Sequence, residues 1–177
     1  MRILGTKKRV LGRWTHIGLI AAIFCAISFA ADSSPQITLN TSKAAPRAME
    51  PLTEKAILRD YTFAWSNLEL AEESNSPGPL NALFSGTASN RLHSAIASNR
   101  RIGVTSRYLN QTHKVDAVFY SPEGDVLELH DTAGFDLQIL DGSKTIHNEH
   151  VTTHYVVLMT PGADRWEIRQ IQAVPKF

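Results

Sequence analysis

The most regular hydrophobic pattern in the chain lies between residues 126 and 141. Apolar side chains alternate there with polar ones, and the apolar set is Leu127, Leu129, Ala133, Phe135, Leu137 and Ile139. A period of two over this length predicts a long antiparallel strand with one buried face and one wetter face. Turn residues flank the stretch at 121–125 and 141–143, so we expect a strand partner on each side.

Three further stretches show strand patterns. Residues 107–120, 145–160 and 165–174 are predicted to form the other strands, joined to the first by hairpins. Residues 155–159 are apolar at every position, which indicates a segment buried on both faces. In the last stretch the apolar parity changes between Ile168 and Ile171, and this predicts a β-bulge near residues 169 and 170.

A helical period of three and four precedes the strands. Residues 51–73 carry one apolar stripe, formed by Ile57, Leu58, Tyr61, Ala64, Trp65, Leu68 and Ala71. Shorter helices are predicted at 80–84 and 87–102, with Gly103 as the stop of the last one. Residues 51–177 therefore predict an α+β domain, with N-terminal helices packed in the concave face of a strongly bent four-stranded antiparallel sheet.

The first 50 residues have a different character. Residues 1–16 contain five basic residues and no acidic one, and residues 17–29 are apolar apart from Gly18 and Ser28. These are the parts of a secretory signal, or of a short membrane anchor if it is not cleaved. We predict a signal peptide or anchor over 1–31, which would meet the membrane through residues 17–31, and a flexible linker over 32–50. The domain would then lie outside the cytoplasm, in the periplasm or secreted.

Composition narrows the function classes. The chain is 43% hydrophobic and 20% charged with a net charge of +1, and its basic excess is confined to the first sixteen residues, so we expect no nucleic-acid partner. Cys25, the only cysteine, lies in the apolar run, which leaves the domain without disulfides or thiol chemistry. The chain has no glycine-rich phosphate loop, no G-x-S-x-G and no CxxC, and no cofactor is expected.

The order of three helices and four long strands, closed by the segment DRWEIRQIQAV at 164–174, resembles the nuclear-transport-factor-2-like (cystatin-like cone) superfamily. The layout looks closest to the branch that holds the mitochondrial import-motor domain and the periplasmic subunits of type IV secretion systems. The resemblance implies a cone-shaped sheet around the first helix, with Trp166 plugging it. Members include enzymes, carriers and scaffolding subunits, so the resemblance concerns fold more than activity.

Asp131 is the sharpest candidate site residue because it lies in the apolar parity between Leu129 and Ala133. A carboxylate buried there needs a hydrogen bond, an ion pair or a proton. The resemblance implies one role, as a general base acting on a small substrate inside the cone. The other interpretation is a wet residue at a bulge or strand edge, or a cap on a backbone group. The aromatic residues expected nearby form either the core or a cavity lining: Tyr61, Trp65, Phe135, Tyr155 and Trp166.

Four histidines could suggest a metal. His150 and His154 share a strand face but lie about 13 Å apart at 3.3 Å per residue, too far for one ion. His147 lies on the opposite face, and His130 offers no more than a cross-strand pair. Since no third ligand is evident, no metal site is predicted.

These observations favour a non-catalytic binding or assembly subunit that docks onto a larger membrane-associated protein complex. The alternative is a small-molecule-binding protein or enzyme with Asp131 as general base. An open cavity of roughly 300 Å³ or more would favour the alternative, whereas a filled interior with an external apolar patch would favour the scaffold. The resemblance also leaves a homodimer open as a partner state, without indicating its interface.

Overall fold

The structure, a computed structural model, describes residues 34–177. Two α-helices and a 3₁₀ turn are followed by most of the sheet. The helices are α1 (Pro51–Ser74) and α2 (Gly86–Ile102), with the 3₁₀ turn at Gly78–Ala82 between them. The strands are β1 (Gln36–Asn40), β2 (Val104–Tyr120), β3 (Leu127–Asp141), β4 (Lys144–Pro161) and β5 (Trp166–Val174). The mixed α+β class is therefore confirmed.

The five strands form one sheet in the order β1-β2-β3-β4-β5. The prediction of four strands is wrong, because β1 pairs in parallel with residues 112–116 of β2. β1 arises from the predicted linker, whose Ile37 and Leu39 alternate with polar residues and pack against the core. A run of five residues was too short to be recognised as a strand within a polar segment. Burial of these two apolar side chains nevertheless stabilises the strand on the sheet. At least this part of 32–50 is thus ordered in the sheet.

The helix ends follow from local chemistry. Pro51 begins α1, where a missing N–H costs nothing, and Asn75 closes it in the left-handed conformation with φ 49°. Gly103 closes α2 with φ 78°, as predicted. The side chain of Arg100 donates hydrogen bonds to the carbonyl oxygen of Asn75 and thereby joins the ends of the two helices.

One face of the sheet, the inner face, packs against the helices. Leu129 of β3 and Val157 of β4 are fully buried there with Ile57, Tyr61 and other residues of α1. The predicted bulge is confirmed, because Leu158 pairs with Gln170 while Met159 pairs with Ile168. Residues 155–159 are not buried on both faces. Val157 and Met159 are buried, whereas the alternate positions Val156 and Leu158 are only half-buried on the outer face.

The sheet has unequal strand lengths. β3 pairs with β4 along nearly its whole length, but β5 covers only residues 154–161 of β4. Within the described part of the chain no strand pairs with the other side of residues 144–153, which we call the open edge of β4. Neither helix in residues 34–177 is long and apolar enough to cross a membrane. The predicted signal or anchor at 1–31 lies outside the described residues.

Candidate functional site

The candidate site is a buried polar network at the centre of the inner face. Asp131 lies on β3, the middle strand, directly opposite Val115 of β2 and Tyr155 of β4. Tyr61 comes from the buried stripe of α1 above it, and His113 from β2 beside it. Each of the three is 1% exposed or less. The expectation of a wet residue at an edge or bulge is therefore wrong for Asp131.

Two hydrogen bonds converge on one carboxylate oxygen. The Tyr61 hydroxyl donates to Oδ2 of Asp131 at 2.7 Å, and Nδ1 of His113 lies 2.7 Å from the same oxygen. Both distances are those of well-formed hydrogen bonds. The carboxylate thereby gains the partners that its burial requires, and it ties α1 to two strands of the sheet.

Aromatic rings enclose this network. The Trp65 ring lies over His113 with 4.4 Å between ring centroids, and it contacts Tyr155 at 5.5 Å. Burial raises the pKa of Tyr61 well above its ordinary value, and the negative charge of Asp131 adds to that effect. Burial and then Asp131 raise the pKa of Tyr155 as well. Both phenols therefore remain protonated at neutral pH and act as neutral neighbours of the carboxylate.

Three polar atoms of this cluster have no hydrogen-bond partner among the described residues: Asp131 Oδ1, His113 Nε2 and Trp65 Nε1. Unsatisfied buried groups of this kind occur at functional sites and beside buried water molecules. The adjoining gap between α1 and the sheet, lined by Ile57, Tyr61, Val115 and Leu129, has no room for a water molecule. On that side the interior is filled by side chains.

The geometry limits what the network can do chemically. A general base must come within hydrogen-bond reach of the proton that it removes. Asp131 is 0% exposed, and its Oδ2 atom is already engaged by Tyr61 and His113. The arrangement bonds His113 and Tyr61 to Asp131 and thereby fixes the position of α1 on the sheet.

The five aromatic residues that the sequence indicated as either core or cavity lining do not form one cluster. Tyr61, Trp65 and Tyr155 surround the network. Phe135 lies farther along β3 and packs edge-on against Tyr108 at 5.1 Å. Trp166 is at the other end of the sheet, where it packs against Tyr120 at 6.4 Å and its backbone N–H donates to buried Asp60.

The other histidines singled out in the sequence lie outside the inner network. His150 bonds Asp136 at 2.8 Å on the exposed part of the sheet, and His130 stacks on the ring of Phe177 at 4.3 Å. His154 contacts the edge of the same ring and bonds Thr132. Across residues 34–177, no three His, Cys, Asp or Glu side chains converge as metal ligands would.

The buried polar residues that sequence reasoning did not identify include His113 and Asp60. His113 shares the apolar parity of Val115 and Ala117 on β2, the same signal that identified Asp131. Asp60 falls in the buried stripe of α1, three residues after Ile57. Its side chain pairs with Arg59 at 2.8 Å and accepts the Trp166 N–H at 2.8 Å, so it anchors the start of β5. Polar residues at core spacing were the available signal in both cases.

Comparison with known proteins gives a likeness of fold. No known family model and no curated protein sequence matches the chain. Among solved structures, the chain is similar to the intermembrane space region of the chloroplast protein ARC6, with a TM-score of 0.56 and 15% sequence identity. The match covers 73% of this chain and 98% of the other. At this identity the similarity concerns the fold alone.

Proposed function

We propose that this protein is a non-catalytic binding subunit that docks, on the extracytoplasmic side, onto a larger membrane-associated protein complex. The close packing around the buried Asp131 network supports this most. A ligand carrier or enzyme of this size needs an open cavity of roughly 300 Å³ or more beside its polar groups. Here the gap next to Tyr61 and Leu129 has no room for a water molecule, and Asp131 is fully buried. A recess of about 400 Å³ lies elsewhere, beside Asp116, His130 and Phe177, and neither Asp131 nor its partners Tyr61 and His113 line it.

We also propose that the fold is of the nuclear-transport-factor-2-like type, with the sheet bent into a cone. The long α1 helix that packs on the inner face supports this, as does the order of helices before long strands. Bulges bend strands, and register irregularities occur in the β2–β3, β3–β4 and β4–β5 pairings. The β1 strand at the sheet edge is an addition to the layout that the resemblance implies.

The proposed location rests on two observations. The basic residues 1–16 followed by the apolar residues 17–29 are the pattern of a signal or anchor. The structurally similar ARC6 region is described as an intermembrane space region, which places that protein's domain between two membranes. A domain of this fold, tethered by its N-terminal segment, would be positioned to contact other subunits at a membrane surface.

An apolar patch on α1 offers a docking surface for another subunit. Phe63 and Leu70 lie two helical turns apart on one side of α1, and they are 48% and 54% exposed. Phe63 also borders a recess of about 220 Å³ that it shares with Arg59 and Arg165. Exposed apolar groups rimmed by charge are typical of protein-interaction sites.

The test is to express the full chain in a bacterial host, fractionate the cells and measure the intact mass of the product. The proposal predicts a full-length chain in the membrane fraction, with the domain accessible to protease from the periplasmic side. A product in the cytosolic fraction would contradict the proposed location. A soluble product beginning near residue 31 or 32 would remove the anchor, and a ligand screen against the wild type and Asp131→Asn would then decide between carrier and scaffold.

A further inference from the structure

A recess of about 400 Å³ lies on the outer face of the sheet, between β1 and the ring of Phe177. Its floor is formed by alternate residues of β2 and β3, whose side chains point away from the helices. The volume falls within the range of roughly 300–1,000 Å³ that is typical of small-molecule sites. The recess is therefore large enough for a ligand, and it lies across the sheet from the Asp131 network.

Asp116 and its neighbours on the floor of the recess already have partners. One carboxylate oxygen of Asp116 accepts a hydrogen bond from Asn40 at 2.6 Å, and the other lies 2.8 Å from the ammonium of Lys43. These bonds, that from Lys43 first, lower the pKa of Asp116 below its ordinary value. His130, which is opposite Asp116 on β3, bonds Glu128 at 3.1 Å. None of these groups needs a ligand as its partner.

Lys114 differs from these residues. It lies on β2 between Thr38 of β1 and Thr132 of β3, which are its direct strand partners. The Thr38 hydroxyl donates to the carbonyl oxygen of His113 at 3.2 Å, and the Thr132 hydroxyl lies 3.1 Å from Nδ1 of His154. In the described part of the chain, neither a hydrogen bond nor an ion pair engages the Lys114 ammonium. The floor of the recess thus has one positive charge that no described side chain neutralises.

The ring of Phe177 forms an apolar wall of the recess. It stacks on the ring of His130 with 4.3 Å between centroids and 11° between planes, and it meets His154 edge-on at 5.1 Å. These two contacts hold the ring beside the recess, yet 48% of Phe177 is still exposed. An apolar group that covers the ring would gain about 25 cal/mol for each Å² removed from water. The recess therefore provides apolar contact as well as a charge.

We propose that this recess binds a small organic carboxylate with an apolar body. The carboxylate would pair with Lys114, and the apolar body would lie against Phe177. A lysine ammonium is a compact point charge that suits a single anionic group. The lining contains neither an arginine fork nor a helix N-terminus, the groups that recognise phosphate most specifically. The site is independent of the proposed docking surface, because Phe63 and Leu70 lie on α1, on the other side of the sheet.

The experiment titrates 3-phenylpropionate into the purified full chain at about pH 7 and follows the backbone amide signals by NMR. We expect a Kd of about 1 mM or tighter, with the largest shifts at residues 114, 132 and 177. The matched probe is 3-phenylpropionamide, which has the same ring but no charge, and it should bind about fivefold more weakly. Inorganic phosphate at the same concentration should leave these signals in place, because it has no apolar body.

Two substitutions separate the contributions of charge and of apolar contact. Lys114→Gln should weaken binding of the acid about fivefold and leave that of the amide unchanged, whereas Phe177→Ala should weaken both. The matched control is Lys55→Gln, an exposed lysine on α1 whose replacement should change neither Kd. Circular dichroism verifies that the fold is intact. Equal affinities for acid and amide, a Kd indifferent to Lys114→Gln, shifts of the same size with phosphate, or no binding below about 10 mM would each overturn the inference.

Discussion

Nδ1 of His113 lies 2.7 Å from Oδ2 of Asp131, and neither side chain has any exposed surface. The pair joins β2 to β3 beneath α1, and the Tyr61 hydroxyl adds the helix to the same carboxylate oxygen. Removal of one partner from such a pair leaves a buried group that water cannot solvate. The network therefore determines how firmly the helix is held on the sheet.

Tyr61→Phe removes one hydrogen bond and little volume. Because the acceptor is a buried carboxylate, we expect the free energy of unfolding to fall by about 1.5–3 kcal/mol. Tyr120→Phe is the matched control, since Tyr120 is also buried but its hydroxyl lies 3.5 Å from the Gly124 carbonyl oxygen, a weak contact. Denaturant unfolding measures both variants. Equal losses would show that the Tyr61–Asp131 hydrogen bond contributes no more to the free energy of unfolding than the weak contact of Tyr120.

A double-mutant cycle tests the pair itself. Asp131→Leu or His113→Leu alone should each cost about 3–5 kcal/mol, because each leaves the other polar group buried without its main partner. The double variant should cost clearly less than the sum of the two, since it leaves neither group of the pair behind. Additive losses, measured by chemical denaturation, would argue that the two side chains are independent.

Alkaline stability follows from the tyrosine pKa shifts. Burial raises the pKa of Tyr61 and of Tyr155 in the folded protein, so the unfolded chain releases these protons at lower pH than the folded one. The contribution of the two tyrosines to the free energy of unfolding is therefore fully present below pH values of about 10, the ordinary pKa of tyrosine. This contribution is lost as the pH rises above that value. Unfolding at about pH 8 and about pH 11 should show this loss, and Tyr61→Phe should lose less. An equal loss in the variant would contradict the assignment.

Glu72 gives a second pH prediction, in which stability is lost over a lower pH range than for the tyrosines. Burial raises the pKa of this carboxyl, while the hydrogen bond from Asn99 opposes the shift. The folded state therefore holds the proton more tightly, and the contribution of Glu72 to stability falls as pH rises from about 4 to neutral. Glu72→Gln keeps an acceptor for Asn99 and should raise the melting temperature at neutral pH but not at about pH 3. A decrease at neutral pH would contradict this account.

The sequence predicted the parts of the fold that have a long, uninterrupted period. Both long helices, four strands and the bulge at Arg169 follow from apolar positions at spacings of two or of three and four. β1 was missed because its stability comes from pairing with distant residues 112–116, which no local pattern reveals. Asp131 was identified because it interrupts a long row of apolar positions. Its partner His113 was missed because the apolar row that it interrupts is shorter. The contact between His113 and Asp131, which are 18 residues apart, depends on the register of the two strands. That register depends on the whole sheet.

The exposed residues of α1 are expected to matter for assembly and not for folding. Phe63→Ser with Leu70→Ser removes the apolar patch from a helix face that contacts solvent. We expect a change in stability within about 1 kcal/mol, since surface substitutions usually cost little, together with loss of the heavier complex on native electrophoresis. Leu52→Ser is the control, as Leu52 is 80% exposed at the first turn of the same helix. Loss of assembly in both variants would contradict the proposal that Phe63 and Leu70 form the docking surface.

The most direct test of the proposed function is the native mass of the full chain extracted from membranes of the cells that normally produce it. The account predicts a species clearly heavier than one or two copies of the 19.6 kDa chain, containing other protein subunits in fixed proportion. Mass photometry of the purified extract, with subunit ratios from quantitative mass spectrometry, would show it. A chain that occurs only as its own monomer or dimer would contradict the claim that it is a subunit of a larger complex.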